Sequence, residues 1–378
     1  MLSNEIIIIT TSGPLRNYMK RRPTHYAEIL AIANRVINIS SASMKNYLKF
    51  KNTRPWEEKI FFRLPGNRYK FVQGLNKWLY SRFLKKVICK LPQKPILWHF
   101  FSGDFDLVKN LPNKVSILEI CDDTPEFFVK ESETYKKVME NEDRMSRSVD
   151  IVFTISDYLR EKKKKLRPDI KVVRNGVVFR DFSLVPELGR IVGEELFSVK
   201  PPIVGYTGAV SHWLDFNLAE LIAEALPDVN FVYIGRISPD QQTIVQRLNL
   251  KPNIYFLGER PYESLPHYLK YFDVAQIPFV INKLTFSVNP IKLYEYLAAG
   301  LRVVSTPMPE VVRYAEKGIV ETAKESREYC RIIQGMLGEK GRDHIRICQE
   351  IAEQNSWRAR VESACVEIQD KLIRCAGL

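Results

Sequence analysis

The residues that point most clearly to chemistry lie in one helical segment near position 290. Asn289 is a favourable N-cap residue, Pro290 suits the first helical position, and Gly300 is placed to end the helix. Free N–H groups and the positive dipole end make a helix N-terminus suitable for phosphate, and Lys292 adds a full charge in the first turn. Glu295 shares that face, where its carboxylate can accept hydrogen bonds from ribose hydroxyls. The segment predicts a nucleotide-phosphate site, with an ordinary capped surface helix as the alternative.

Two glycines and an arginine that follow predicted strands extend this site. Gly205 and Gly208 come at the end of one strand, where glycine lets the backbone approach a ligand closely. Arg236 follows the next strand, at the same carboxyl edge, and can pair with a phosphate. Because a lone G-x-x-G is weak evidence, a tight structural turn and a solvated loop arginine stay open as alternatives.

The elements that position these residues alternate between apolar strands and helices. Strands are predicted at residues 5–10, 35–39, 96–101, 115–120, 151–155, 171–174, 203–207, 229–234, 253–257, 274–278 and 302–305. Helices are predicted at residues 25–33, 70–91, 131–148, 217–226, 240–248, 265–271, 290–299, 309–315, 327–337 and 342–378. Such alternation is typical of parallel, doubly wound α/β sheets. Since 378 residues exceed the size at which one core keeps growing, we expect two Rossmann-like domains facing each other across a cleft.

Composition excludes several classes of protein. The chain is 45% hydrophobic and 27% charged, which is typical of a globular protein, and no apolar run approaches the roughly 20 residues that cross a bilayer. The first ten residues lack the basic region and cleavage site of a signal peptide. Six scattered cysteines without a Cys/His cluster argue against a zinc site or a disulfide framework, and they fit a reducing cytosol.

Positive charge is concentrated in a basic block between residues 16 and 94, which holds 19 Lys and Arg and three Glu, whereas the net charge of the whole chain is +13. The predicted helix at 70–91 carries Trp78 and Phe83 among lysines and arginines, and residues 162–165 add four lysines. Cationic and aromatic residues on one helix suit an anionic membrane surface, although packing against the domain core is an equal alternative. No nucleic-acid partner is expected, because no nucleic-acid-binding motif is present.

The segment around position 290 also resembles the donor-binding helix of GT-B glycosyltransferases, particularly bacterial exopolysaccharide and teichuronic-acid-type enzymes of group 1. Their pattern NPxKxYEYLAAGxPVVST is matched by NPIKLYEYLAAGLRVVST at residues 289–306, with Arg302 in place of the proline. Of the two family glutamates eight residues apart, the second matches Glu295 and the first falls on Ser287. Further segments resemble the family in the same order: RRPTH at 21–25, EICDD at 119–123, VDIVFTIS at 149–156, RNGV at 174–177, GYTG at 205–208 and NSW at 355–357.

The resemblance implies an acceptor-binding domain at residues 1–183, a linker at 184–201, a nucleotide-sugar-binding domain at 202–355 and a helix at 356–378 that returns to the first domain. It adds two residues to the predicted donor site. His212 follows the glycine turn, and Arg260 lies in the loop where relatives hold the base. The donor is expected to be a nucleotide diphosphate sugar, and no metal or further cofactor is expected.

Glycosyl transfer makes two demands on such a site. The leaving diphosphate gains negative charge, which the predicted cations and the helix dipole would stabilise. An inverting enzyme also needs a base for the acceptor hydroxyl. Asp122 and Asp123, at the end of a predicted strand, are the first candidates, and His25 and His99 are further ones. A loop that caps the next helix and structural histidines are the alternatives, and a retaining enzyme requires no such base.

The predicted function is transfer of a sugar from a nucleotide diphosphate sugar to a glycan or lipid-linked acceptor in cell-surface polysaccharide synthesis. The protein is expected in the cytoplasm, attached peripherally to the inner face of the membrane. A nucleotide-sugar epimerase of the same fold and a non-catalytic nucleotide-sugar-binding protein are the alternatives.

Overall fold

The computed structural model describes residues 1–15, 20–42, 55–66, 68–103, 105–183, 196, 199–338 and 341–375. Most of the predicted linker, parts of the basic block and the last three residues of the predicted final helix lie outside the described residues. The chain divides into two compact units. The first unit is Met1–Arg174 with Arg358–Leu378, and the second unit is Asn175–Trp357.

The first unit is built on one parallel sheet. Its strands are β1 (Ile6–Thr11), β2 (Arg35–Ala42), β3 (Glu57–Phe62), β4 (Ile96–His99), β5 (Val115–Ile120), β6 (Ile151–Thr154) and β7 (Lys171–Val172). They are ordered β3-β2-β1-β4-β5-β6-β7. β1, β4 and β6 are buried at every position, which explains their runs of isoleucine, leucine and valine.

Helices cover the faces of this sheet. They are α1 (Arg22–Leu30), α2 (Lys70–Ile88), α3 (Phe105–Val108), α4 (Glu133–Ser148) and α5 (Asp157–Lys163). The last two have serine N-caps, because Ser132 accepts a hydrogen bond from the Tyr135 N–H and Ser156 accepts one from the Leu159 N–H. A short 3₁₀ turn, Thr124–Phe127, follows β5.

The second unit repeats the plan with six parallel strands. They are β8 (Ile203–Thr207), β9 (Asn230–Ile234), β10 (Ile254–Gly258), β11 (Val274–Ile277), β12 (Arg302–Ser305) and β13 (Glu321–Thr322). Their order is β10-β9-β8-β11-β12-β13. The order reverses between β8 and β11, and ligands of such sheets bind beyond the carboxyl ends of the strands at this switch point.

The helices of the second unit lie between these strands. They are α6 (Phe179–Ser183), α7 (Phe216–Ala225), α8 (Gln242–Leu248), α9 (Leu265–Leu269), α10 (Lys283–Ser287), α11 (Ile291–Ala298), α12 (Pro309–Ala315), α13 (Ser326–Met336) and α14 (Arg342–Gln354). Two 3₁₀ turns, Pro239–Gln241 and Tyr262–Ser264, precede α8 and α9. The last helix, α15 (Trp357–Cys375), belongs to the first unit except for its first residue.

The predicted fold class, an α/β chain with two parallel sheets, is confirmed. Two short strands, β3 and β13, were not predicted; β3 reads EEKIFF, and its charged half hides the strand pattern at the sheet edge. The single helix predicted at 342–378 is wrong, because the chain breaks at Asn355 and Ser356. There the Trp357 N–H donates to the Val177 carbonyl at 3.0 Å, which ties this corner to another segment of the second unit.

Candidate functional site

Three loops join at the carboxyl edge of the second sheet. The Gly208 N–H donates to the Ile234 carbonyl at 2.8 Å, and the Val210 N–H donates to the Arg236 carbonyl at 2.9 Å. The Gly235 N–H donates in turn to the Gly258 carbonyl at 2.8 Å. The loops that follow β8, β9 and β10 are therefore fixed side by side by backbone hydrogen bonds next to the switch point.

Close backbone contact makes two positions in these loops specific for glycine. Gly208 has φ of +140°, and a Cβ there would lie 2.8 Å from the Lys292 Cε. A Cβ on Gly235 would lie 1.8 Å from the Gly208 carbonyl oxygen. Larger residues would force the loops apart, so these glycines keep the backbone beside the lysine.

Gly205 does not have the role predicted for it. It lies inside β8, not at its end, and a Cβ there would meet the Phe272 ring at 2.1 Å. The missing side chain makes room for an aromatic ring of the core. The prediction that Gly205 lets a ligand approach is therefore wrong.

Lys292 lies in the first turn of α11, as predicted, and its ammonium is held over aromatic rings. The Nζ atom is 4.9 Å from the centre of the Phe279 ring and 5.4 Å from that of Tyr206. Burial lowers the pKa of Lys292, and the Glu295 carboxylate opposes that effect. The structure therefore brings a partly desolvated cation next to the Gly208 turn, where an anion would find a strong partner.

Glu295 follows Lys292 by three residues in α11 and is buried. Burial raises the pKa of its carboxyl group, and the neighbouring ammonium of Lys292 opposes the rise. Ser287, which stands in place of the first family glutamate, is also buried, and its hydroxyl donates to the Leu284 carbonyl at 2.7 Å. Only the second position of the glutamate pattern therefore retains a carboxylate.

Asn289 is not the N-cap that its position suggested, because Pro290 occupies that place and provides no side-chain cap. The Asn289 Oδ1 accepts a hydrogen bond from the Asn175 N–H at 2.9 Å, and its Nδ2 donates to Tyr294 and Glu310 at 3.0 and 3.1 Å. Asn289 is fully engaged within the protein. Its predicted direct contact with the donor is wrong, and it instead fixes the segment before α11.

Three further predicted donor residues lie on the loops at this edge. Arg236 and His212 are exposed, and the His212 ring packs edge-on against Trp213. Arg260 is held in place, since its Nε donates to the Tyr268 hydroxyl at 2.9 Å and one terminal nitrogen donates to the Glu259 carbonyl. Through the joined loops, Arg236 lies beside the Val210 backbone near the Gly208 turn.

The first-unit candidates separate into accessible and inaccessible groups. Asp122 is partly exposed, whereas Asp123 is buried and its carboxylate binds the Lys162 ammonium at 2.6 Å. His25 and His99 are both 2% exposed, and burial lowers the pKa of each to about 3. The prediction of His25 as a catalytic residue is wrong, because a neutral imidazole enclosed by α1 cannot reach an acceptor.

Sequence reasoning missed a buried ion pair under α1. The Arg22 Nε donates to Glu119 at 3.0 Å, and its terminal nitrogens donate to the Tyr26 hydroxyl and the Arg174 carbonyl. The Trp98 indole donates to the other oxygen of Glu119 at 3.2 Å. The only signal was the RRPTH motif, which does not reveal a partner 97 residues away.

Neither a metal site nor a membrane span is found in the described part of the chain. No group of three or more His, Cys, Asp or Glu side chains there could hold a metal ion. No described helix combines the length and the hydrophobicity that crossing a bilayer requires.

Comparison with known proteins matches the second unit to a family. Residues 201–339 match the family described as Glycosyl transferases group 1. The putative teichuronic acid biosynthesis glycosyltransferase TuaH of Bacillus subtilis (strain 168) is 28% identical over 272 residues, which cover 68% of this chain. The match spans 64% of the length of that relative.

Two solved structures resemble the whole chain. Anabaena HepE, solved in complex with UDP and glucose, has a TM-score of 0.71 at 16% identity, covering 97% of this chain and 99% of its own. Sucrose-phosphate synthase from Thermosynechococcus elongatus has a TM-score of 0.77 at 13% identity with the same coverage. These likenesses show that the chain has the predicted GT-B fold.

Proposed function

We propose that this chain, a group 1 glycosyltransferase of the GT-B fold, transfers a sugar from a nucleoside diphosphate sugar to a glycan or lipid-linked acceptor in cell-surface polysaccharide synthesis. The observation that carries the proposal is the Lys292 ammonium beside the Gly208 turn. TuaH, by its name, acts in teichuronic acid biosynthesis, and this likeness supports a cell-surface polysaccharide as the product.

The donor diphosphate would bind at the first turn of α11. Its charge would be met by Lys292, by the positive end of the helix and by the exposed Arg236. These groups would stabilise the additional charge that develops as the sugar–diphosphate bond breaks. We propose UDP as the nucleotide part, because HepE was solved with UDP at the same fold.

Glu295 would accept hydrogen bonds from the ribose hydroxyls. Its carboxylate lies one helical turn beyond Lys292, so one ligand could meet both groups. Burial raises the pKa of Glu295, and a bound hydroxyl donor would favour the ionised form. His212 and Arg260 stay proposed donor contacts on the loops that follow β8 and β10.

A thermal-shift screen with UDP, GDP, dTDP and CMP tests the donor class. A ligand that binds only the native state raises its apparent stability, by about 2.7 kcal/mol at 100 times Kd. We expect UDP to stabilise the protein more than the other three nucleotides.

Hydrolysis of UDP-sugars and their epimers would be measured on the same preparation. Stabilisation with an epimerised donor would support an epimerase, and stabilisation without hydrolysis or transfer would support a binding protein. No shift with any nucleotide would contradict the proposal.

The proposed membrane partner rests on the outward side of α2. Phe71 and Trp78, one heptad apart and therefore on one helix face, are 81% and 54% exposed. The Arg82 guanidinium lies 5.0 Å over the Trp78 ring, and Lys85 is exposed on the next turn. The opposite side packs into the core, where Tyr80 stacks on Phe61 of β3. Exposed aromatic rings among cations suit the headgroup region of an anionic leaflet, so we propose peripheral attachment to the inner face of the membrane.

The double variant Phe71→Ser/Trp78→Ser should bind vesicles that contain phosphatidylglycerol about tenfold more weakly, since burial of each large apolar side chain contributes about 1.5–3 kcal/mol. Co-sedimentation measures the binding. Leu250→Ser, which alters an equally exposed apolar residue of the second unit, is the matched control and should bind as the wild type does. Equal binding by the double variant and the wild type would refute the proposed surface.

A further inference from the structure

Two adjacent carboxylates after β5 have opposite surroundings. Both oxygens of Asp123 accept hydrogen bonds from the Lys162 ammonium, at 2.7 and 2.6 Å, and the residue is 2% exposed. Asp123 occupies the N-cap position of the 3₁₀ turn, but its side chain makes no capping hydrogen bond. Its carboxylate is therefore committed to the lysine.

Asp122 has no such partner. Within the ranges that the structure describes it makes no hydrogen bond or ion pair, and it is partly exposed. Burial raises the pKa of Asp122 to about 7; Arg21 opposes the rise and the charge of Asp123 adds to it. A carboxyl group in this state is accessible to a ligand and can exchange a proton near neutral pH.

Lys162 belongs to α5, whose start is fixed by the Ser156 cap. From there it reaches Asp123, which also interacts electrostatically with Tyr135, Tyr158 and Glu142. Lys162 supplies the positive charge that keeps Asp123 ionised and in place. The position and charge of Asp123 in turn set the environment of Asp122.

We propose that Asp122 is the carboxylate that meets the acceptor hydroxyl and that Lys162, acting through Asp123, is a positioning residue for it. The proposal rests on the glycosyltransferase function proposed above. In the step, the acceptor oxygen forms a bond to the anomeric carbon and its proton passes to the Asp122 carboxylate. The bond between that carbon and the diphosphate oxygen breaks, and its electron pair leaves with the nucleoside diphosphate.

Carbodiimide labelling with glycine ethyl ester tests the assignment without any substrate. At pH 6.5 we expect Asp122 to be modified at least tenfold faster than Asp123, as mapped by tandem mass spectrometry. Lys162→Met should make Asp123 reactive, whereas Lys164→Met, which alters an exposed lysine after α5, should change neither rate. Equal labelling of both aspartates in the wild type would overturn the proposal.

Hydrolysis of UDP-glucose, UDP-galactose and UDP-N-acetylglucosamine, with water as acceptor, provides the functional arm. Asp122→Asn should lower the rate about 100-fold without weakening UDP binding. Asp123→Asn should retain activity and move the rise of rate with pH to lower pH, because it removes a negative neighbour. Lys162→Met should move that rise to higher pH, because the two carboxyls then retain a proton longer.

The outcomes separate the two proposals. Wild-type hydrolysis by Asp122→Asn, or unchanged pH profiles in the other two variants, would overturn this inference and leave the donor site intact. A wild-type protein that binds no nucleotide would refute the proposed function, and the labelling result would still decide the roles of the two aspartates.

Discussion

Replacing Lys292 with alanine should weaken UDP binding at least tenfold and lower donor turnover by about 100-fold or more. The ammonium is the cation that the structure holds against the Gly208 turn, over the rings of Tyr206 and Phe279. Removing one preorganised group that stabilises developing charge commonly costs about 100- to 1,000-fold in turnover. Calorimetric titration with UDP and initial rates of UDP-sugar hydrolysis measure the two effects.

The pH dependence of the same titration identifies the charge as the cause. Burial lowers the pKa of Lys292 to about 8, and only the protonated form attracts a diphosphate. Wild-type affinity should therefore fall as pH rises through about 8, and the affinity of Lys292→Ala should change little over that window. Lys317→Ala, at an exposed lysine of the same unit, should behave as the wild type does. Wild-type affinity in Lys292→Ala would exclude this lysine from the donor site.

Arg22→Met should destabilise the first unit by about 3–5 kcal/mol, because it leaves the buried Glu119 carboxylate without its cation. Chemical denaturation followed by fluorescence measures the loss, and Trp98, which donates to Glu119, is a local probe. Two units need not unfold together, so the transition reported by this probe is the relevant one.

A pair and a double variant test the cause of that loss. Arg35→Met breaks the exposed ion pair with Glu57 and should cost less than about 1 kcal/mol. Arg22→Met/Glu119→Leu should recover part of the stability, since no uncompensated charge stays buried. A loss in Arg22→Met no larger than in Arg35→Met would contradict the assigned role of the buried pair.

Local patterns in the sequence predicted the sheets and α11 because apolar runs and helix signals act over a few residues. The partners of Asn289 were not predictable in this way. A good capping residue next to a proline indicated an N-cap, but the structure engages it with Asn175, 114 residues away. Distant hydrogen bonds of this kind leave no local signal, so the outcome depends on tertiary packing.

The lysine run at 162–165 shows the same limit at a candidate site. Its composition predicted only extra surface charge, but the helical phase gives each lysine a different direction. Lys162 binds Asp123, Lys163 binds Glu142 and Asp143, and Lys164 pairs with Glu161 near solvent. Which lysine serves the site follows from where α5 begins, and that depends on the Ser156 cap.

The division of the chain has a consequence for its synthesis. The second unit is one continuous stretch, Asn175–Trp357, inserted into a first unit whose final part is Arg358–Leu378. Val361, Ala364 and Ile368 of α15 are fully buried, so the first unit lacks part of its core until they are available. Domains fold as units during translation, at about 5–20 residues per second. The inserted unit can thus fold on the ribosome while the first waits for its last helix, and the segment translated first is completed last.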